Sequence, residues 1–393
     1  MKKIEEHHRV EFEDRARIVV KVPGIYTFLG EFADYCKGFT LCGAAPLYLE
    51  VAVSPREDQS VRLYMATHND RKRFNLQNTK YKREDRWANY IKGVLSVLNA
   101  RGYSVGAFNL TLSGELLHRE GTMTNSAIVL GVTLALSALY NLKLSPEECA
   151  TVAYSALSTF ANEECRLIIF LAMLNVTPDS LLLYDIQYLK YEKIKIDDLD
   201  DSVVLLIVES KIAPQALQEE LSIRREESKA AFKRLRSLFP SGLMRDILEQ
   251  DIKENEGQLT EEEKRICHYV LSESRLAREG GRLLAQKDMV GYGKVLNKVQ
   301  AGLRDIFEVT CPEIDWLTKR AIELNGCLGA SMISTGTSGT ILVLISRESI
   351  ALYITRMEEY EHIFGFKPTY KSYMPAGRLK IDSRNNGSTS NKR

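Results

Sequence analysis

Apolar and polar positions divide the chain into short strands and amphipathic helices. Arg17–Val22 is a β-branched run that stops at Pro23-Gly24, which predicts a strand followed by a turn. Leu47–Ser54 and Val105–Leu112 alternate as half-buried strands. Between them, Trp87, Ile91, Val94, Leu95 and Leu98 recur at helical spacing, with polar and charged residues elsewhere. Ser126–Tyr140 is the longest apolar stretch; it is too short to cross a bilayer and predicts a buried helix. Ser145-Pro146-Glu147-Glu148 opens another helix, with an N-cap, a proline at the first helical position and acidic first-turn residues. Val203–Val208 predicts a buried strand. Pro214–Gln286 is charged and helical, broken near Pro240-Ser241-Gly242 and near Gly257. Cys311-Pro312-Glu313 opens a helix reaching about Leu324, Gly326 and Gly329 frame a turn, and Ile341–Ile345 is a strand. The mixture, with antiparallel-style alternation early on, predicts an α+β fold with mixed or antiparallel sheets covered by helices.

With 393 residues, the chain has room for two domains. The expected boundary is the aspartate-rich connector Asp197–Asp201, giving 1–200, 201–381 with the helical stretch inserted, and a disordered tail, 382–393, without apolar content. The 53 basic and 52 acidic residues nearly cancel, so nucleic acid and anionic membranes are not expected as partners. Seven cysteines, an odd number with no C-x-x-C pair, argue against a disulfide framework or zinc site and point to the cytoplasm. The first fifteen residues contain no apolar run and do not read as a secretory signal.

Three blocks, in order, carry a resemblance. Val22-Pro23-Gly24 through Gly30-Glu31-Phe32-Ala33-Asp34-Tyr35 is similar to P-G-R-x-N-x-x-G-E-H-x-D-Y of galactokinases. Trp87-Ala88-Asn89-Tyr90-Ile91-Lys92-Gly93-Val94 resembles a galactokinase-specific helix. Leu303-Arg304-Asp305 through Glu308-Val309, then Cys311-Pro312-Glu313-Ile314-Asp315, resembles L-R-D-x-Y-E-V-S-C-P-E-L-D. The resemblance extends over nearly the whole chain, from about residue 15 to 380. The three blocks identify a galactokinase-like member of the superfamily of galactokinase, homoserine, mevalonate and phosphomevalonate kinases (GHMP kinases), and imply its two-domain fold.

The resemblance also implies a parts list for phosphoryl transfer. Its catalytic aspartate, in C-G-I-M-D-Q-F, falls on Ile169 within Cys165–Leu171, and its transition-state arginine falls on Ile25. Isoleucine can neither take a proton nor carry charge. The phosphate loop G-x-G-L-S-S-S-A falls on Arg119–Ala127, where Gly121, Thr124, Asn125 and Ser126 are the nucleotide or Mg²⁺ candidates and Glu120 adds negative charge beside a polyanion site. Ser126 reads more readily as a serine serving the helix N-terminus. Glu163 falls near the position of the family's Mg²⁺ glutamate. The third glycine motif reads Thr335–Thr340, keeping Gly336 and Gly339. Glu31 and Asp34 match the two sugar-binding carboxylates, Phe32 replaces the histidine between them, and Leu221 replaces a sugar-contacting tyrosine.

Losing base, arginine, glycines and tyrosine together predicts a catalytically inactive member acting as a sugar or nucleotide sensor, or as a scaffold for another protein. The alternative is an active ATP-dependent sugar 1-kinase with an atypical site, using Mg-ATP where nucleotide binding is retained. A third reading is a structural protein that binds no small molecule.

Overall fold

The computed structural model describes residues 2–119, 121–196, 202–213, 216–255, 257–333, 339–375 and 377–384. The expected boundary at 197–201 lies outside them. Contacts group the chain into two compact units, both assembled from separated segments. One comprises Met1–Ile25, Ala45–Val176 and Ala376–Arg393; the other comprises Tyr26–Ala44 and Thr177–Pro375.

The first unit begins with helix α1 (Lys2–Phe12). Strand β1 (Ile18–Leu29) and strand β2 (Phe39–Pro55) each run from one unit into the other. Then come β3 (Ser60–Met65), β4 (Asp70–Asn75), α2 (Ala88–Ala100), β5 (Phe108–Ser113), α3 (Thr122–Leu139), α4 (Pro146–Ser155) and α5 (Leu167–Asn175). In this unit β2 pairs antiparallel with β5 from Glu50↔Ser113 to Pro55↔Phe108. β5 runs parallel to β3, and β3 antiparallel to β4. Helix α3 has a mean hydropathy of 1.5 over a membrane-length window, of which 72% is buried, as in a core helix. Gly131 lets it approach the sheet, since a Cβ there would lie 2.7 Å from Val51.

The second unit contains β6 (Ser180–Asp185), β7 (Lys190–Lys195), β8 (Val203–Glu209), α6 (Gln218–Leu238), α7 (Glu249–Glu254), α8 (Glu261–Ala285), α9 (Met289–Asp305), α10 (Pro312–Ile322), β9 (Cys327–Ile333), β10 (Thr340–Ser346), α11 (Ile350–Phe364) and β11 (Thr369–Ser372). β6 pairs with residues 39–42 of β2 and with β7. A separate antiparallel sheet is ordered β11-β8-β10-β9. Helices α9 and α10 pack on β9, closely enough that a Cβ on Gly329 would sit 2.1 Å from the Gly293 carbonyl oxygen. The fold is α+β, as the residue pattern predicts.

Three local expectations are corrected, and one segment left unassigned by the residue pattern is placed. The turn at Pro23-Gly24 is instead mid-strand: proline's φ is compatible with an edge or irregular strand, and a Cβ on Gly24 would meet Leu116, Met123 and Ala45 at 3.2–3.3 Å. Gly329 lies within β9, not in a turn, because α9 needs a bare backbone there. Asp382 and Ser383, assigned to the tail, belong to β12 (Lys380–Ser383), which pairs with β1 through Ile18↔Ser383 and Val19↔Asp382. Backbone pairing at a sheet edge needs no apolar side chains; residues 385–393 lie outside those described. The polar N-terminal stretch forms α1, which buries Ile4 against Ala16, Val19 and Ala52.

Candidate functional site

The first unit has a cavity of about 360 Å³ at the start of α3. The chain enters that helix through Gly121, whose φ of 113° is open to glycine and strained for other residues. Thr124 turns its hydroxyl back to the carbonyls of Leu116 (2.9 Å) and Arg119 (2.8 Å), fixing the loop against its own helix. Asn125 donates to Glu163 Oε2 at 2.8 Å, and Tyr90 donates to Glu163 Oε1 at 2.7 Å. Burial, followed by the hydrogen bond to the Glu163 carboxylate, pushes the Tyr90 phenol well above its ordinary pKa, so it remains a donor at all working pH. Trp87, Tyr81, Arg86 and Arg119 complete the wall together with Met65, Leu117 and Ile128.

The wall formed by residues 80–87 is pinned from α2. Asn89 is buried and pairs with both backbone groups of Lys82, accepting from its N–H at 3.1 Å and donating to its carbonyl at 2.7 Å. Lys92, also buried, forms an ion pair with Asp85 and donates to the Lys80 carbonyl at 3.1 Å. Trp87 Nε1 donates to Asp70 at 2.7 Å. The pattern of apolar spacing alone assigned Asn89 and Lys92 to the polar face; their partners on residues 80–85 are what bury them.

Ser126 is buried, and its Oγ has no hydrogen-bond partner among the described residues. It therefore does not serve the helix N-terminus; Gly121 occupies the N-cap position and supplies no side-chain cap. A hydroxyl oxygen such as that of Ser126 and a carboxylate such as that of Glu163 are the hard donors that Mg²⁺ prefers. Among the described residues no three His, Cys, Asp or Glu side chains gather as a metal cage. Mg²⁺ usually arrives with nucleotide phosphates and few protein ligands, so the donor set fits an ion carried in that way.

In the second unit, Gly30 (φ 79°) turns the chain out of β1, and residues 31–37 form a tight run of turns. Glu273 on α8 is buried, and its carboxylate accepts the N–H groups of Glu31 and Phe32, each at 3.0 Å. Ser274 accepts from the Phe39 N–H at 3.1 Å. Glu31 lies 3.9 Å from Arg225 on α6, and Tyr35 stacks on Phe232 of the same helix. Phe32 is buried with its ring centroid 4.4 Å from Phe307 and 6.2 Å from Tyr269. It has become core, as has Leu221 on α6.

The structure thus brings Gly121, Thr124, Asn125 and Glu163 to one cavity. It sets Glu31 and Asp34 on a turn held by α6 and α8. Ile25 is buried in β1 and Ile169 half-buried in α5. Gly339 (φ 62°) precedes β10, and a Cβ there would lie 2.3 Å from Ser210 Oγ. Gly336 and Glu120 lie outside the described residues. Sequence reasoning missed Glu273, although an acidic residue between Val270 and Ala277 on the apolar stripe of α8 was the available signal. It also missed Arg86, which no spacing rule marks.

Residues 6–55 match the model of the galactokinase galactose-binding signature. The chain is 29% identical to a galactokinase from Roseiflexus sp. (strain RS-1), over 86% of this chain and 85% of that protein. It is 27% identical to a galactokinase from Pyrococcus furiosus, over 93% of this chain and 100% of that one. Its fold superposes on Lactococcus lactis galactokinase complexed with galactose with a TM-score of 0.88 and 20% identity, covering 96% and 99% of the two chains. Methanococcus jannaschii mevalonate kinase gives a TM-score of 0.56 at 15% identity, over 93% and 98%. The sequence comparisons therefore make the chain galactokinase-like, and its fold is that of the GHMP small-molecule kinases.

Proposed function

We propose that the protein is an ATP-dependent sugar kinase of the galactose type with an atypical active site. The observation carrying this reading is the cavity at the start of α3, where aromatic walls meet arginines and a helix N-terminus. Trp87 and Tyr81 offer faces for a planar base, and Arg119, Gly121 and the free N–H groups of α3 suit phosphates. Glu31 and Asp34 offer carboxylates to sugar hydroxyls, within the stretch that matches the galactose-binding signature. Ser126 and Glu163 are the residues that would hold a Mg²⁺ ion brought by the nucleotide, and that ion would neutralise phosphate charge.

Phosphoryl transfer is driven mostly by positioning and electrostatics. A general base contributes on the order of 10²–10⁴-fold, so isoleucine at the expected base position slows the reaction without removing every source of rate. The specific observation favouring a second reading is that Ile25 and Ile169 together strip the site of both expected charged groups. On that reading the protein binds sugar or nucleotide as a sensor or scaffold. The seven cysteines, all free, suit the reducing cytoplasm for either role.

Incubating the protein with Mg-ATP and galactose, and measuring sugar phosphate against a heat-inactivated control, tests the kinase reading. The expected result is turnover roughly 10²–10⁴-fold below that of a relative with a carboxylate base. Ligand-induced thermal stabilisation without any sugar phosphate would replace it with the sensor reading. Neither stabilisation nor turnover would leave the scaffold.

A further inference from the structure

We propose that Arg86 is a phosphate-contacting residue of the cavity, held in a strained backbone conformation by Asn89 and Lys92 so that its guanidinium is presented to a nucleoside polyphosphate. This rests on the nucleotide reading above and adds a residue and a device to it.

The first observation is the backbone. Arg86 has φ 47° and ψ −121°, values of the first central residue of a type II′ turn, which glycine normally occupies. A Cβ is disfavoured there, and such outliers persist only where the surroundings over-determine them. Those surroundings are present. The Arg86 N–H donates to the Arg83 carbonyl at 3.3 Å, and the Arg86 carbonyl accepts from the Asn89 N–H at 3.0 Å. The Asn89 side chain clamps Lys82, and the Lys92 ammonium clamps Lys80 and Asp85. The segment before Arg86 is therefore fixed at three places by two buried polar side chains of α2.

The second observation is the side chain. Arg86 is exposed at the cavity wall, and its guanidinium makes no ion pair or hydrogen bond to any described residue. Glycine would relieve the strain at no cost in folded contacts. An arginine at this position contributes a planar fork of donors, the geometry that grips phosphate oxygens in pairs. The cavity it faces has aromatic walls and about 360 Å³ of space, which suits a nucleotide better than an isolated phosphate ion.

The test compares R86G, R86A and the unaltered protein, reading the urea midpoint and the dissociation constant for ADP by calorimetry. R86G is expected to unfold at higher urea and to bind ADP about ten-fold or more weakly. R86A is expected to lose the same affinity without the gain in midpoint, because alanine keeps the strain. N89A is expected to weaken ADP binding in the unaltered background but to add little on top of R86A, the non-additivity that marks a positioning residue. Unchanged ADP affinity in both Arg86 variants overturns the contact while leaving the nucleotide reading intact. A midpoint for R86G no higher than for R86A overturns the strain. Failure of the unaltered protein to bind ADP overturns both the nucleotide reading and this inference.

Discussion

Replacing Glu273 with alanine removes the acceptor on which the Glu31–Asp34 turn hangs. The side chain is buried, and its two oxygens receive two backbone N–H groups at 3.0 Å each. A hydrogen bond to a charged group contributes about 1.5–3 kcal/mol. The Phe32 N–H is in a buried setting and would lose its partner outright, whereas Glu31 is only part-buried and water can replace some of what it loses. E273A should therefore cost about 3 kcal/mol, toward the lower end of the sum of the two bonds. E273Q keeps one acceptor oxygen but turns an amide donor toward the second N–H, and should cost about 2 kcal/mol. Urea denaturation gives both values, provided the m-values match that of the unaltered protein. Galactose-induced thermal stabilisation, measured in parallel, should fall for both variants, since the turn bearing the carboxylates is no longer fixed. If E273A stays within about 0.5 kcal/mol of the unaltered protein, the carboxylate does not hold the turn and the reasoning is wrong.

Further outcomes follow from other buried contacts. His8 is buried between Thr111 (2.9 Å) and Ser54 (3.0 Å), and burial lowers its pKa from 6.5 to about 4. The folded state therefore favours the neutral ring, so this contribution is complete above pH 6.5 and is lost as pH falls through 4. About 3 kcal/mol should disappear over that window, and the slope should flatten in H8F when urea midpoints are compared across pH. D85N should destabilise more than K92M, by about 3 kcal/mol in equilibrium denaturation, because it strands the buried Lys92 ammonium. G329A should cost about 3 kcal/mol or prevent folding, since its Cβ would lie 2.1 Å from a backbone oxygen that cannot swing aside; a midpoint unchanged from the unaltered protein would contradict that geometry.

Regular local signals were legible in the residues. The Ser145 cap appears as a full capping box with Glu148, and the Thr260–Glu263 box starts α8 just after the expected break near Gly257. The helix from Trp87 was found by its apolar stripe, but that stripe could not show that Asn89 and Lys92 are buried. A polar residue is placed inside only when its partners are known, and those partners sit up to twelve residues earlier. Pro23-Gly24 reads as a turn from local chemistry, yet neighbouring strands and Leu116 override it. The phosphate-loop candidates were named because the family pattern fixes their order in sequence. Glu273 and the Glu31 turn are 242 residues apart, a separation at which no local pattern carries information.

The late pairing of β12 with β1 has a consequence for biosynthesis. Residues 380–383 supply the edge strand beside Ile18–Lys21, and Arg384 reaches Glu5 on α1 at 2.7 Å. The first unit also waits for the rest of the chain to be made, because its segments are separated by almost the whole second unit. During synthesis, at about 5–20 residues per second, β1 must spend on the order of tens of seconds with its outer edge uncovered. A chaperone that shields exposed strand edges would act in that interval, and premature termination before residue 380 would leave the edge open permanently.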